Sequence, residues 1–264
     1  MTIVQSVILG ALQGIAEFLP ISSSGHLIIM REFMELEGVP LLFDVLLHVS
    51  TLAVVIIIFR NRVWGIIRSF GRLAGGKKDE SDRENLKLLL LIILATVFTV
   101  IIGLGISYLE METRPRVVSS LFIVTGLLLV ATRFTRGNRG YDQLGIRHGI
   151  ITGIAQGLGV FPGISRSGIT ISAALYSGIN REKAGEFSFL ISIPAILGAF
   201  ILELRDMGTL VESVSPLNLS IGIAVSFFVG YFSLLLLLRL IRGGKLFYFA
   251  FYLIPLGVFT LIYL

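Results

Sequence analysis

Residues 88–109 form a run of membrane-spanning length that contains no charged side chain. Built as an α-helix, this run is about 33 Å long, which matches the hydrocarbon core of a bilayer. The composition agrees, because 55% of the 264 residues are hydrophobic and only 15% are charged, too few to cover a soluble domain of this length. The chain contains no cysteine, which excludes a disulfide framework and cysteine-based metal sites. We therefore predict an all-α integral membrane protein.

Six stretches are predicted to be transmembrane helices, although two of them are short and need flanking residues to reach across the bilayer. They are residues 41–59, 88–109, 117–132, 187–202, 213–238 and 246–264. Two further apolar regions, 1–30 and 148–180, are interrupted by glycine, proline and serine, so neither is predicted to cross the membrane as a simple helix. The N-terminus lacks the basic region and cleavage site of a secretory signal, so residue 1 onward is expected to belong to the mature protein.

Basic residues gather in three connections, which the positive-inside rule predicts to be cytoplasmic. These connections are residues 60–87, 133–147 and 239–245. The connections 110–116 and 203–212 and both termini are then predicted to lie outside. It follows that region 1–30 begins and ends outside, whereas region 148–180 begins and ends inside, so each is predicted to be a re-entrant helix-loop-helix segment. The net charge of +5 is modest, and no nucleic-acid partner is expected.

The two interrupted regions are related in sequence. Residues 13–25 read QGIAEFLPISSSG and residues 156–168 read QGLGVFPGISRSG, with seven of thirteen positions identical and no gap. The segments that follow, FDVLLHVST at 43–51 and FSFLISIPA at 187–195, also resemble each other. Because the two regions are predicted to enter from opposite faces, the similarity indicates an inverted repeat.

We therefore predict a single membrane domain, residues 1–264, that consists of two inverted-topology repeats at about 1–132 and 147–264, with a cytoplasmic basic loop at about 60–87. The broken helices of the repeats are expected to meet near the bilayer midplane. Non-helical backbone at that depth is tolerated only inside protein or beside a wet cavity, so the serines and glycines are expected to line a site.

The polar side chains of these regions point to phosphate chemistry. They are Glu17, Ser22, Ser23, Ser24 and His26 in the first region, and Ser165, Arg166, Ser167 and Thr170 in the second. Arginine with hydroxyls and glycine-flanked N–H groups suits a phosphate, because these groups are donors with room for close approach. His26 is a candidate acid, base or nucleophile, and Glu17 is a candidate ligand of a divalent cation. Together these groups favour phosphoryl transfer.

Each of these residues also has a structural interpretation. The hydroxyls of Ser22 and Ser172 suit bonds to their own backbone or to a neighbouring helix, and glycines such as Gly25 suit close packing. Glu17 and Arg166 are costly in a membrane, and the simplest alternative is that they only pair with each other. Asp44 and His48 lie one turn apart, and there a structural hydrogen bond is the preferred interpretation. His148, beside a basic connection, is expected to be interfacial.

The pattern Gln13-x-x-x-Glu17 and the segments FLPISSSGH at 18–26 and FPGISRSGIT at 161–170 resemble the signature segments of the undecaprenyl-diphosphatase family, the bacitracin-resistance type. FDVLLHVSTLAVV at 43–55 and REKAGEFSFLISIP at 181–194 are similar to that family's neighbouring helices, so the resemblance runs along most of the chain. It implies a cell-membrane enzyme that removes the terminal phosphate of a C55 polyprenyl diphosphate, giving the monophosphate carrier used in cell-wall peptidoglycan synthesis. It also implies Mg²⁺ or Ca²⁺ as cofactor and a site open to the outer face.

Carried over by position, the resemblance assigns catalysis to four residues, with Ser23, His26 and water left open as the attacking group. The catalytic residues are Glu17, Ser23, His26 and Arg166. The residues predicted to bind the substrate, from the resemblance and from the polar pattern together, are Gln13, Ser22, Ser24, Gly25, Gly163, Ser165, Ser167, Gly168 and Thr170. Glu17 is the expected metal ligand, with Gln13 as a candidate second one; Gln13 stands where the family has Glu or Gln and removes one anionic ligand. The expected partners are the lipid substrate and the bilayer, and a homodimer is left open.

Two other functions compete with this one. Lipid phosphatases related to type 2 phosphatidic acid phosphatases have a segment similar to SSSGH at 22–26, but SR at 165–166 is not followed by a histidine at the spacing they need. A transporter or flippase of polyprenyl phosphate shares the inverted-repeat architecture. Glu17 together with His26 favours the enzyme, because transport needs neither an acid–base group nor a nucleophile.

Overall fold

The computed structural model describes residues 1–36, 38–77, 79–107, 114–135 and 137–263, and within these ranges it is helical without a β-strand. The described residues form twelve α-helices, which are α1 (Ile3–Phe18), α2 (Ser23–Phe33), α3 (Leu41–Ile58), α4 (Arg60–Ala74), α5 (Arg83–Ser107), α6 (Pro115–Ala131), α7 (Ile146–Leu158), α8 (Arg166–Tyr176), α9 (Arg181–Glu203), α10 (Met207–Ser213), α11 (Pro216–Arg242) and α12 (Ala250–Tyr263). Short 3₁₀ turns lie at Glu80–Asp82, Thr132–Phe134, Tyr141–Gln143, Leu204–Asp206 and Leu246–Phe249.

Six of the described helical segments are long and apolar enough to cross a membrane, which confirms the predicted all-α multi-pass fold. They contain α3, α5, α6, α9, α11 and α12, the helices that correspond to the six predicted spans. The predicted span 88–109 and connection 110–116 fall partly on residues 108–113, which lie outside the described residues. Residues 60–87 differ from a simple loop, because Arg60–Ala74 form the helix α4. Its exposed large apolar side chains, among them Trp64 and Phe70, alternate with arginines as in an interfacial helix.

The helix ends follow from local sequence. Thr2 caps α1 through the N–H of Gln5, and Asn180 caps α9 through the N–H of Lys183. Proline occupies the first turn of both α6 and α11, where its missing N–H costs nothing. Capping side chains therefore fix where these helices begin, even though most of their residues are aliphatic.

Helices pack closely where glycine removes side-chain bulk. The most extensive contacts join α1 to α11, α5 to α7 and α6 to α12. A Cβ on Gly14 would lie 2.8 Å from the backbone of Gly230 and Ser226, and a Cβ on Gly153 would lie 2.6 Å from Ala95. Such close approach is typical of membrane helices, which associate through packing rather than through the hydrophobic effect.

The two interrupted regions have the same local architecture. In the first, α1 and α2 flank residues 19–22, here called the first break; in the second, α7 and α8 flank residues 159–165, the second break. Helix-break-helix structure is therefore present in both regions. Their re-entrant course through a bilayer, the inverted topology and the repeat boundaries remain predictions.

Candidate active site

The two breaks contact each other. The backbone N–H of Gly163 donates to Ser22 Oγ at 3.0 Å, and Ser167 Oγ donates to the carbonyl of Phe18 at 3.0 Å. Gly163 has φ of +97°, and a Cβ there would lie 2.4 Å from the carbonyl oxygen of Val118, so only glycine fits. The predicted contact between the two broken helices is therefore observed. The depth of the breaks in a membrane is still a prediction.

Ser22 contacts the second break and is the N-cap residue of α2. Its φ of +72° is uncommon for a residue with a side chain, and its hydroxyl also accepts from the N–H of Gly25 at 3.4 Å. Gly25 allows the close approach, because a Cβ on it would lie 2.9 Å from the backbone nitrogen of Gly163. Strained backbone of this kind persists only when the surrounding structure holds it, and it concentrates at functional sites.

The Glu17 carboxylate lies where the breaks meet and accepts hydrogen bonds on both oxygens. Arg166 Nη2 donates to Oε1, whereas Ser23 Oγ and Gln13 Nε2 donate to Oε2 at 2.9 Å and 3.1 Å. The Glu17 side chain is 4% exposed and that of Arg166 is 17% exposed. Glu17 and Arg166 therefore do pair, as the structural interpretation expected, and the question is what surrounds the pair.

Arg166 retains an unused donor. Among the described residues, its buried Nη1 has no hydrogen-bond partner. A buried guanidinium nitrogen without a partner is costly in a protein interior, and an anionic ligand would satisfy it. Pairing with Glu17 is therefore only part of the role that the geometry gives to Arg166.

Beside the pair is a cavity of about 200 Å³, here called the site cavity. Its lining residues are Glu17, Ser23, Ser24, His48, Thr99, Gln156, Gly159, Val160, Ile164, Arg166, Ala195, Ile196 and Ala199. Ser23 and Ser24 lie in the first turn of α2, and Arg166 is the first residue of α8. Two helix N-termini thus converge on one cavity, and a helix N-terminus favours anions through its free N–H groups and its dipole.

Sequence reasoning gave too little weight to His48. As expected, its Nδ1 makes a structural hydrogen bond near Asp44, to the backbone carbonyl of that residue at 2.8 Å. However, its Nε2 lies 3.3 Å from Glu17 Oε2, and the ring lines the site cavity. The available signal was the rarity of an ionisable side chain within an otherwise apolar span.

Gln156 and Thr99 were also missed as members of the cavity wall. Gln156 Nε2 donates to Thr99 Oγ1 at 3.1 Å and to the carbonyl of Ile191 at 3.0 Å. Its Oε1 has no hydrogen-bond partner among the described residues. The alignment of the repeats pairs Gln156 with Gln13, and this pairing was the available sequence signal for Gln156 as a site residue.

His26 lies apart from this cavity. Its Nδ1 is 2.8 Å from the carbonyl of Ser22, its Nε2 is 2.8 Å from the hydroxyl of Tyr252, and its ring stacks on that tyrosine. It is not among the residues that line the site cavity. The structure therefore brings Glu17, Ser23 and Arg166 together but places His26 behind the first break, where it holds the Ser22 carbonyl.

The remaining hydroxyls of the second region mostly hold backbone. Ser165 caps α8 by accepting from the N–H of Gly168 at 3.1 Å, and its hydroxyl lies 3.2 Å from that of Ser167. Thr170 donates to the carbonyl of Arg166 at 2.7 Å and also contacts the hydroxyl of Ser188. These residues orient the start of α8, and substrate contacts by them stay a prediction.

The fold and the site define a class. The chain is a multi-pass helical membrane protein that buries an arginine, a carboxylate and hydroxyls at two helix N-termini, a combination suited to binding an anion. The chain matches the family described as bacitracin resistance protein BacA over residues 6–259, and it belongs to that family.

Named relatives agree along the whole length. The chain is 52% identical over 263 residues to the undecaprenyl-diphosphatase of Treponema denticola, an alignment that covers 100% of this chain and 98% of the relative. It is 39% identical to that of Borrelia recurrentis, covering 99% and 98%, and 40% identical to that of Carboxydothermus hydrogenoformans, covering 98% and 96%. The family resemblance predicted from the motifs is thereby confirmed.

Proposed function

We propose that this protein is an undecaprenyl-diphosphate phosphatase, which releases the terminal phosphate of the lipid diphosphate and returns the monophosphate. Family membership and the names of the relatives support this activity. The structural observation that carries it is the convergence of Glu17, Ser23 and Arg166 on one cavity at the N-termini of α2 and α8. These comparisons do not favour the transporter hypothesis.

Arg166 is the proposed phosphate clamp. Its Nη1 is the buried donor that lacks a partner among the described residues, and a phosphate oxygen is the acceptor that suits a guanidinium best. Ser24, which lines the same cavity in the first turn of α2, is a further donor. Substrate phosphate would thus be held between the two breaks.

Ser23 is the proposed nucleophile, oriented by Glu17. Its hydroxyl already donates to Glu17 Oε2 at 2.9 Å, the arrangement of a nucleophile beside its base. The Ser23 oxygen bonds to the terminal phosphorus, its proton passes to Glu17, and the bond to the bridging oxygen breaks, so that the lipid monophosphate leaves. The proton held by Glu17 passes to the departing lipid monophosphate. Water then attacks the phosphorus of the phosphoserine, the bond to Ser23 Oγ breaks, and inorganic phosphate and the free Ser23 hydroxyl result. His26 acts as a positioning residue, because it holds the Ser22 carbonyl directly before Ser23.

The oxygen atoms at and near Glu17 suit a hard divalent cation whose coordination shell is completed by substrate phosphate. No three His, Cys, Asp or Glu side chains form a metal cluster in the described part of the chain. The candidates are the Glu17 carboxylate and the amide oxygens of Gln13 and Gln156, both buried and unpartnered among the described residues. One carboxylate with neutral oxygens suits Mg²⁺ or Ca²⁺, which take further ligands from water and phosphate. When bound, the cation supplies neutralisation of the diphosphate charge.

Location and assembly are part of the proposal. The protein lies in the cell membrane with the site cavity open to the outer face, as the basic connections and the family resemblance predict. In that setting the two interrupted regions are re-entrant, hydrolysis recycles the carrier for peptidoglycan synthesis, and the activity confers bacitracin resistance. A homodimer is compatible with this arrangement, and no nucleic acid takes part.

The test is phosphate release by purified protein in detergent, from undecaprenyl diphosphate with Mg²⁺, with Ca²⁺ or with a chelator. We expect cation-dependent release that Ser23→Ala abolishes. Ser172→Ala is the matched control, because its buried hydroxyl lies outside the site cavity and has no partner among the described residues, so it should keep activity. Equal activity of the two variants would remove Ser23 from the mechanism, and no release by folded wild-type protein would remove the function.

A further inference from the structure

A second cavity lies between α4, α5 and α9 and shares no described lining residue with the site cavity. Its volume of about 370 Å³ falls within the range of about 300–1,000 Å³ that is typical of ligand cavities. Four of its lining side chains are 41–53% exposed, and these are Ile67 of α4, Ile93 and Val97 of α5 and Leu197 of α9. The cavity, here called the lateral cavity, therefore opens sideways on the outer apolar surface of the helices.

The lining of the lateral cavity suits an aliphatic ligand. Thr96 is the only described lining residue with a polar side-chain atom, and its hydroxyl donates to the carbonyl of Ile92 in its own helix at 2.8 Å. The lining side chains therefore offer no free hydrogen-bonding group to a polar ligand. From Leu89 to Val97 the cavity follows α5 over about 12 Å of helix rise, which is room for a stretch of acyl chain.

Two arginines of α4 have no carboxylate partner among the described residues. They are Arg60 and Arg68, and both are exposed. The guanidinium of Arg68 lies 5.9 Å from the centre of the Trp64 ring, a cation–π contact that leaves its donors available. The other two arginines of the helix, Arg62 and Arg72, are already paired with carboxylates. The helix thus carries two positive charges for which the described part of the chain provides no anion.

These two charges lie beside the lateral cavity. Helical spacing places four residues on one face of α4, and they are Arg60, Trp64, Ile67 and Arg68. Because Ile67 lines the cavity, both guanidiniums and the indole lie next to its α4 wall. Tryptophan settles at the headgroup level of a bilayer, and the connection that contains α4 is predicted to be cytoplasmic, the side where anionic lipids attract basic residues.

We propose that Arg60, Arg68 and the lateral cavity form a binding site for an anionic phospholipid of the cytoplasmic leaflet. The arginines bind its phosphate headgroup, and one acyl chain lies in the cavity between α5 and α9. A neutral lipid would leave both cations without a partner, and a soluble anion would leave the apolar cavity empty, so only a lipid with an anionic headgroup matches both parts. This inference goes beyond the proposed function and does not depend on it.

Trp64 is the only tryptophan of the chain, so its fluorescence reports on this site alone. The full chain is placed in phosphatidylcholine vesicles that contain a small fraction of either phosphatidylglycerol or phosphatidylcholine brominated near the headgroup, because bromine quenches indole fluorescence. The ratio of the two quenching constants gives the relative affinity of the anionic lipid within one protein, which cancels differences in emission between variants. We expect phosphatidylglycerol to be preferred on the order of tenfold, since each arginine near a membrane surface attracts an anionic lipid.

The preference should fall to about one when Arg60→Gln and Arg68→Gln are combined. The matched control is Arg147→Gln, an exposed arginine of another predicted cytoplasmic connection, and it should keep the wild-type preference. Equal quenching by the two lipids in the wild type overturns the proposal. An equal loss of preference in Arg147→Gln also overturns it, because the attraction would then belong to the basic surface as a whole.

A tryptophan moved into the cavity tests the place of the acyl chain. In a Trp64→Phe background, Val97→Trp puts the indole at the far end of the cavity, whereas the control Leu127→Trp puts it on α6, where Leu127 is 58% exposed and outside the cavity. Phosphatidylglycerol should quench Val97→Trp more strongly than phosphatidylcholine does, and the two lipids should quench Leu127→Trp equally. Equal quenching by both lipids at Val97→Trp, or the same preference at both positions, contradicts a phospholipid bound in the lateral cavity.

Discussion

For the buried pair of Glu17 and Arg166, we predict that substitutions change the stability of the fold and the catalytic activity independently. Arg166→Met removes the cation but keeps much of the side-chain volume. The Glu17 carboxylate, only 4% exposed, would then keep Ser23, Gln13 and His48 as neighbours. It would lose the permanent positive charge of the Arg166 guanidinium. Leaving a buried charge without its partner typically costs about 3–5 kcal/mol.

The double variant Glu17→Gln with Arg166→Met removes both charges. It should recover most of the lost stability, because a neutral amide still reaches Ser23 and Gln13 and no unpaired charge remains. It should nevertheless release no phosphate, since both the clamp and the base are gone. The matched control is Arg242→Met, which breaks the pair with Glu182 at 3.1 Å, where the side chains are 63% and 61% exposed. An exposed pair is worth about 0–1 kcal/mol, so this control should stay close to wild type.

The assay is thermal unfolding in detergent together with phosphate release. For a chain of this size, a loss of 3 kcal/mol lowers Tm by roughly 6–12 °C. If Arg166→Met unfolds at the same temperature as Arg242→Met, the buried pair is not energetically coupled. If the stable double variant releases phosphate at the wild-type rate, the pair only supports the fold and the catalytic assignment is wrong.

Three further predictions follow from single residues of the site. His48→Gln should keep more activity than His48→Leu in the phosphate-release assay, because the glutamine Nε2 takes the place of the ring Nε2 and can donate to Glu17; equal loss in both would contradict a positioning role. His26→Asn should likewise keep more phosphate-release activity than His26→Ala, because the asparagine amide replaces the ring N–H that donates to the Ser22 carbonyl. Complete loss of activity in His26→Asn would favour His26 as the nucleophile. Gly163→Ala should lower the free energy of unfolding by about 1–3 kcal/mol or more, as measured by denaturation, because φ is +97° and a Cβ meets the Val118 carbonyl. Gly71→Ala, where a Cβ meets nothing within 4 Å, should be neutral or stabilising, and equal effects of the two alanines would refute the steric argument.

Much of the fold could be predicted because a bilayer permits few solutions. An uncharged run such as 88–109 predicts a helix of spanning length, glycine, proline and serine mark the two interrupted regions, and the similarity of 13–25 to 156–168 relates these regions to each other. The helix α4 was missed as an element because its arginines resemble a cytoplasmic loop in a search for uncharged runs. Its exposed apolar face is recognisable only when helical periodicity is considered beside charge.

The site was predictable where its residues lie in the repeated motifs and not where they come from other helices. Glu17, Ser23 and Arg166 belong to the motifs, and the structure brings them together. His48 and Thr99 lie on α3 and α5, and their place in the cavity depends on how those helices pack against the breaks. His26 belongs to a motif but points away, because the direction of its side chain is set by the Ser22 turn and by Tyr252 on the distant α12.

The most direct test of the central claim follows the terminal phosphate itself. Purified protein is incubated with Mg²⁺ and undecaprenyl diphosphate that carries a label only in the terminal phosphate, and the products are separated. The proposed mechanism predicts that the label appears as inorganic phosphate while the unlabelled phosphate stays on the lipid, and that Arg166→Ala abolishes this release. Label that stays with the lipid or leaves as diphosphate, or release that persists in Arg166→Ala, would contradict a terminal phosphatase built from the two breaks.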